Sequence, residues 1–143
     1  MTITFAVEGK PQGKGRPRFT KSGRTYTPKQ TTEYEALIRR MYQLSGGIKF
    51  EGAVRLSIVM MYSVPKRLPK AEKQMMLCDK IFPTKKPDGD NIEKAVADAL
   101  NGVAYEDDSQ IVEAHWEKHY VDRGREGLII TLSSKEENAD EST

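Results

Sequence analysis

Between positions 88 and 108 the chain reads DGDNIEKAVADALNGVAYEDD, a dense run of carboxylates with one lysine inside it. Asp88 and Asp90 flank Gly89, and Pro87 precedes them. Proline stiffens the approach and glycine permits a tight bend, so the two carboxylates can converge on a hard cation. Mg²⁺ takes oxygen ligands and suits such a set, with Mn²⁺ as a substitute. A metal held there would activate water and neutralise charge building on a phosphate and its leaving oxygen, which is phosphodiester hydrolysis. Lys94 would add a fixed positive charge at the scissile phosphate. A second pair, Asp107–Asp108, stands just before a strand expected to start near Gln110. If that strand packs beside the helix that carries Lys94, all these acids line one pocket.

The helix follows from periodicity. At about 100° per residue, Ile92, Ala95, Val96, Ala99 and Leu100 gather on one side, while Asp90, Asn91, Lys94, Asp98 and Asn101 gather on the other. One face anchors the helix, and the other presents acids with an amine one turn from Asp90. Each acid alone has a plainer reading. Asp90 with Glu93 three residues on is a capping box, Asp107-Asp108-Ser109 is a polar turn, and Lys94 is a surface partner for Asp90 or Asp98. The set as a whole favours chemistry, because like charges packed this densely destabilise a fold unless a cation joins them.

The remaining elements must position that segment. Residues 2–8 alternate Ile3, Phe5 and Val7 with polar or small residues, as a strand does. A Gly- and Pro-rich stretch follows and cannot hold a helix. Residues 31–44 predict a helix with Tyr34, Leu37, Ile38, Met41 and Tyr42 on one face, ended by Ser45-Gly46-Gly47. Residues 53–62 predict the longest strand, with Val54, Leu56, Ile58 and Met60 on one side. Residues 63–87 are basic and broken by four prolines, a loop or lid with one short helix at 70–77. A helix at 91–101 stops at Gly102, and strands are expected at 110–120 and 127–133. The stretch from Ser133 onward reads as a polar, disordered tail, with a domain boundary placed between 134 and 135. Strands and helices mix without a βαβ rhythm, so the fold class is α+β, a single small domain.

The net charge of +2 conceals a division. Residues 1–86 hold 18 Lys/Arg against 6 Asp/Glu, and residues 87–143 hold 5 against 15. A polyanion-binding surface joined to a carboxylate site has this form. Residues 10–29 carry Lys10, Lys14, Arg16, Arg18, Lys21, Arg24 and Lys29 with no acid among them. Glycines let such a backbone approach a phosphate, and arginine grips one with a fork of donors, so DNA contact is expected of this arm. Phe19 and Tyr26 interleave with these charges and could stack on unpaired bases, but individually they are expected to anchor the arm to the core. Lys66, Arg67, Lys70, Lys73, Lys85 and Lys86 form a second basic edge. His115 and His119 share a strand face with Glu113 and Glu117, read as edge polarity before a zinc site, and Trp116 is assigned to the core. The one cysteine, Cys78, excludes an internal disulfide and fits a reducing cytoplasm. The sequence has no membrane-length apolar run, Gly-rich nucleotide motif or nucleophile elbow.

The segments KPDGDNIEKAVADALNG at 86–102 and YEDDSQIV at 105–112, with KGRPRF at 14–19 and RTYTP at 24–28, resemble the RusA family of Holliday-junction resolvases in its phage and prophage form. The resemblance implies a mixed sheet with two main helices packed on it. It implies a Mg²⁺-dependent endonuclease, with Asp88, Asp90 and Asp108 as metal ligands, Lys94 as the essential lysine, and Asp98 and Asp107 as additional acids. It further implies a homodimer that resolves four-way DNA junctions through paired symmetric nicks. Lys14, Arg16, Arg18, Lys21, Arg24, Lys85 and Lys86 are the residues expected to meet DNA. Gly89 departs from the family, which usually has a bulky aliphatic residue there, and that leaves the packing of the Asp88–Asp90 bend open. Two other readings stand beside this one: a non-catalytic branched-DNA-binding protein, and a metal-dependent nuclease of flaps or single strands. The dimer surface is not legible, and the strand at 53–62 is a guess.

Overall fold

A computed structural model describes residues 1–135, so residues 136–143 of the expected tail lie outside the described residues. Its centre is a four-stranded sheet in the order β1-β6-β4-β5, where β1 is Thr2–Glu8, β4 is Val54–Ser63, β5 is Ile111–Val121 and β6 is Gly127–Ser134. The β1/β6 and β4/β6 pairs are antiparallel, and the β4/β5 pair is parallel. A two-residue ribbon, β2 (Arg18–Phe19) with β3 (Thr25–Tyr26), stands apart from the sheet. Among the described residues three α-helices complete the fold, α1 (Lys29–Leu44), α2 (Lys70–Leu77) and α3 (Gly89–Ala99). This is the α+β domain with a mixed sheet that the sequence predicts.

Period-2 alternation decides which face becomes the core. Ile3, Phe5 and Val7 of β1, the even-numbered positions from Val54 to Tyr62 of β4, and Leu128, Ile130 and Leu132 of β6 are all buried. Their registers stack them in rows: Ile3, Leu132 and Leu56 form one, and Phe5, Ile130 and Ile58 the next. Helix α1 closes this layer with Tyr34, Ile38 and Tyr42, and α3 does so with Ile92, Val96 and Ala99, joined by Leu100 at its C-cap. Each large apolar side chain buried this way contributes about 1.5–3 kcal/mol, enough to hold both helices to the sheet.

A parallel strand pair requires a long crossover. Residues 64–110 supply it between β4 and β5, and α3 lies within it, packed on the β4/β5 side of the core. Just past its end Gly102 takes φ +79°, a backbone that favours glycine and turns the chain toward β5. Arg39 of α1 donates through Nε to the Ala99 carbonyl at the end of α3, 3.1 Å away. This fixes the two helices against each other, with positive charge at a helix C-terminus.

Three expectations change. Phe19 and Tyr26 are 75% and 48% exposed, because the ribbon that carries them stands off the core and they cannot anchor it. Ser134, read as tail, extends β6 past its expected end at 133, since backbone pairing with β4 does not need an apolar side chain. Strand β4 is central, with both edges paired, so it offers no edge to a second copy.

Candidate active site

The N-terminus of α3 is set by its approach. Tyr62 Oη donates to the Pro87 carbonyl at 2.6 Å, and Lys118 Nζ donates to the Lys85 and Pro87 carbonyls at 2.8 and 3.4 Å. The Lys118 ammonium also lies 4.8 Å from the centre of the Tyr62 ring. Two adjacent strands thus grip residues 85–87 and deliver Asp88 to the start of the helix. Burial lowers the Lys118 pKa, with the Asp88 charge opposing that shift and Lys85 adding to it. Tyr62 is pushed up to about 12, by burial and then by Asp88.

The N-cap position belongs to Asp88, not Asp90, and its carboxylate makes no capping hydrogen bond among the described residues. Among the described residues the Asp90 side chain accepts only from the adjacent Asn91 N–H, at 3.1 Å. The capping-box reading of Asp90 with Glu93 therefore does not describe this helix start. Gly89 lies between the two acids, and a Cβ placed on it would come within 2.4 Å of the Trp116 ring. The indole of Trp116, 37% exposed, covers the position where other residues carry a side chain, rather than filling the core.

The Asp107–Asp108 pair divides. Asp107 caps a single 3₁₀ turn (Asp108–Gln110) by accepting from Ser109 N–H at 3.1 Å, and hydrogen bonding from the Ser109 side chain, then from its backbone N–H, holds the Asp107 carboxyl below the usual range. Gln110 pins the turn with one amide group: its Oε1 accepts from Glu106 and Asp107 N–H, and its Nε2 donates to the Phe50 and Gly52 carbonyls, 3.0 Å each. Tyr105, fully buried, donates to the Ala97 carbonyl at 2.6 Å and ties the same turn to α3. These bonds leave Asp108 facing α3. Its carboxyl is raised by burial, then by the charges of Asp107 and Asp98, and by a hydrogen bond with Asp98, while Lys94 pulls it down.

Asp90, Glu93, Lys94 and Asp108 line one cavity of about 320 Å³, closed below by Leu56, Ile111 and Ala114. Asp88 lines a neighbouring cleft of about 640 Å³ with Lys10, Lys14, Arg16, Lys86 and Asn91. The structure thus brings Asp90, Lys94 and Asp108 together, puts Asp98 beside Asp108, and leaves Asp88 around the helix start. Among the described residues no three His, Cys, Asp or Glu side chains are grouped to hold one ion. The donors still fit a hard cation by chemistry. They are carboxylate oxygens, and the Asp98–Asp108 contact is a crowding that bound positive charge would relieve.

Arg18 and Arg24 sit on or beside the exposed ribbon, as does Lys21 at its turn. The Lys85 ammonium lies 5.7 Å from the centre of the Tyr120 ring. Lys14 turns inward: its Nζ meets Glu35 at 2.5 Å and Asp98 at 3.0 Å. Burial works against its charge, but these two bonds outweigh that and raise its pKa. On the opposite sheet face His119 bonds Asp79 through Nδ1 at 2.8 Å and approaches Glu117 through Nε2 at 3.4 Å, so it fastens the segment after α2 to β5. Gln110 and Trp116 are not among the site residues that the sequence predicts. Asp107-x-x-Gln110 is a capping-box spacing that marks the first. No local pattern marks the second.

The family model for endodeoxyribonuclease RusA matches residues 8–133. A relative from Bacillus subtilis (strain 168), called uncharacterized protein YqaN, is 32% identical over 136 residues, which cover 90% of this chain and 94% of that protein. The matched span takes in the basic arm, both main helices and every acid described above, so this chain belongs to the RusA family of endodeoxyribonucleases.

Proposed function

We propose that this protein resolves four-way DNA junctions by Mg²⁺-dependent phosphodiester hydrolysis, acting as a homodimer that places paired symmetric nicks. The observation that carries the reading is one cavity holding Asp90, Lys94 and Asp108, beside a cleft where Asp88 faces Lys10, Arg16 and Lys86. Cations along the cleft attract and orient a phosphate backbone, and acids at its end have no use in simple phosphate binding.

Asp90 and Asp108 would hold the metal, with Asp88 alongside. The bound metal would supply an activated water and charge neutralisation at the phosphate. Lys94 adds a fixed positive charge at the phosphate. Arg16 and Lys86 position the strand that enters the cleft, and the exposed Phe19 and Tyr26 offer stacking surfaces to unpaired bases. A four-way junction has near two-fold symmetry, and a C₂ dimer meets it with two equivalent sites. No helix among the described residues is long and apolar enough to cross a membrane, and a cytoplasmic site of action accords with this reading.

The test compares a synthetic four-way junction with a linear duplex of the same sequence, each with Mg²⁺, with EDTA, and with Asp90→Asn protein. Paired symmetric nicks in the junction alone, lost with EDTA or the variant, are expected. Tight junction binding with no cleavage under any divalent metal would overturn the reading in favour of a binding module. Cutting of flaps or single strands in preference would assign a different nuclease.

A further inference from the structure

Lys14 belongs by sequence to the basic arm, yet its ammonium is built into the protein. Its backbone N–H donates to the Asn91 carbonyl of α3 at 3.1 Å, and the next residue, Gly15, donates to Thr31 Oγ1 of α1 at 3.0 Å. Both flanking glycines are in close contact. A Cβ on Gly13 would stand 3.0 Å from the Asn91 side chain, and one on Gly15 would stand 2.5 Å from Thr31 Oγ1. The arm therefore lies flat where α1 meets α3, and the lysine side chain enters between them to bridge Glu35 and Asp98. Its side chain is 22% exposed, against 15% for Glu35 and 24% for Asp98. Asp98 follows Ala97, which lines the same cavity as Asp108 and accepts from the Tyr105 hydroxyl at 2.6 Å, so Asp98 stands beside the Asp108 turn and its charge bears on the Asp108 carboxyl.

We propose that Lys14 is a positioning residue of the acidic site: bridging Glu35 and Asp98, it holds the Asp98 carboxylate against Asp108 and so fixes Asp108 from behind. The inference rests on Asp108 belonging to the metal-binding set. Two neighbouring carboxylates repel unless a fixed cation balances them, and Lys14, which does not line the Asp90–Lys94 cavity, supplies that cation. The chain Glu35–Lys14–Asp98–Asp108 also connects the arm that meets DNA to the acids that act on it. Arg16, two residues on, lines the same open cleft that Lys14 borders and is the phosphate contact for comparison.

The test uses full-length Lys14→Met, Lys14→Arg, Glu35→Gln and Arg16→Met proteins. Junction binding in EDTA is followed against salt concentration, and Mn²⁺ binding to the DNA-free protein is titrated by electron paramagnetic resonance. Cleavage is followed against Mg²⁺ concentration. Loss of a ligand's supporting partner typically weakens metal affinity about 10–100-fold. Lys14→Met is expected to weaken Mn²⁺ binding and raise the Mg²⁺ requirement on this scale, with its salt slope unchanged. Lys14→Arg should recover part of the loss. Arg16→Met should instead lower the salt slope by about 1 and leave Mn²⁺ binding alone.

A lowered salt slope with unchanged or tighter Mn²⁺ binding in Lys14→Met would make the lysine a phosphate contact and overturn the proposal. If Lys14→Met does not fold, Glu35→Gln loosens the same bridge from its far end and should weaken Mn²⁺ binding in the same direction; no change there counts against it. If the unmodified protein cuts no junction, the function proposed above fails, and the Mn²⁺ titration still decides the role of Lys14.

Discussion

The ring of Trp116 on β5 lies directly over Gly89 at the start of α3, in the space where a Cβ would meet it at 2.4 Å. The indole substitutes for the aliphatic side chain that the family resemblance leads one to expect at position 89. It packs the Asp88–Asp90 bend from across the structure.

Gly89→Val should therefore force the indole aside and destabilise the protein by about 1–3 kcal/mol, as overpacking does. Removing the ring as well, in Gly89→Val/Trp116→Ala, should recover part of that loss, a coupling of about 0.5–3 kcal/mol. Chemical denaturation of the four proteins in the cycle measures it. Additive losses would show that the two residues do not share the space.

Gln110→Ala should detach the acidic turn from the segment just before β4 that it leans on. Four hydrogen bonds end on that amide, and the unpaired carbonyls of Phe50 and Gly52 would cost about 1–3 kcal/mol. Hydrogen exchange should quicken at the Glu106 and Asp107 amides first. Unchanged protection there would place the anchor elsewhere.

Asp107 and Asp108 should respond in opposite ways. Asp107→Ala removes the cap and is expected to lower the melting temperature while cleavage persists. Asp108→Asn relieves the crowding with Asp98, so it should keep or raise the melting temperature and abolish cleavage while junction binding remains. A thermal melt and a cleavage assay on the two variants decide this, and exchanged phenotypes would reverse the roles.

The His119–Asp79 contact carries a pH dependence. The hydrogen bond to Asp79, against the opposing effect of burial and with Asp79 and Glu117 charges adding, raises the His119 pKa above 6.5. A raised folded-state pKa means the contribution is fully present below about 6.5 and lost as pH rises through the folded value. Melting temperature should thus fall across that interval in the unmodified protein, and this component should shrink in Asp79→Asn, where Glu117 alone still favours the charged imidazole. An identical pH profile in both would remove the contact from the account.

Much of this protein is legible in residue order because periodicity is a local property. Ile3, Phe5 and Val7 alternate in a buried strand, residues 70–77 form the expected short helix, and the apolar stripe from Ile92 to Leu100 faces the core. The density of acids around Lys94 and the cation-rich arm are equally visible, since composition needs no fold to be read.

Only the tertiary structure decided what each member of that set touches. Asp107 and Asp108 are adjacent and chemically identical, yet one caps a turn and the other faces Asp98. That division depends on Gln110 reaching Phe50 and Gly52, some sixty positions earlier. Lys14 looks like any cation of the arm until α1 and α3 close around it. Trp116 looks like core until the crossover from β4 to β5 lays Gly89 beneath it. Local pattern specifies an element and its buried face, but contacts between elements far apart in sequence depend on how the crossover packs, and no spacing along the chain encodes that.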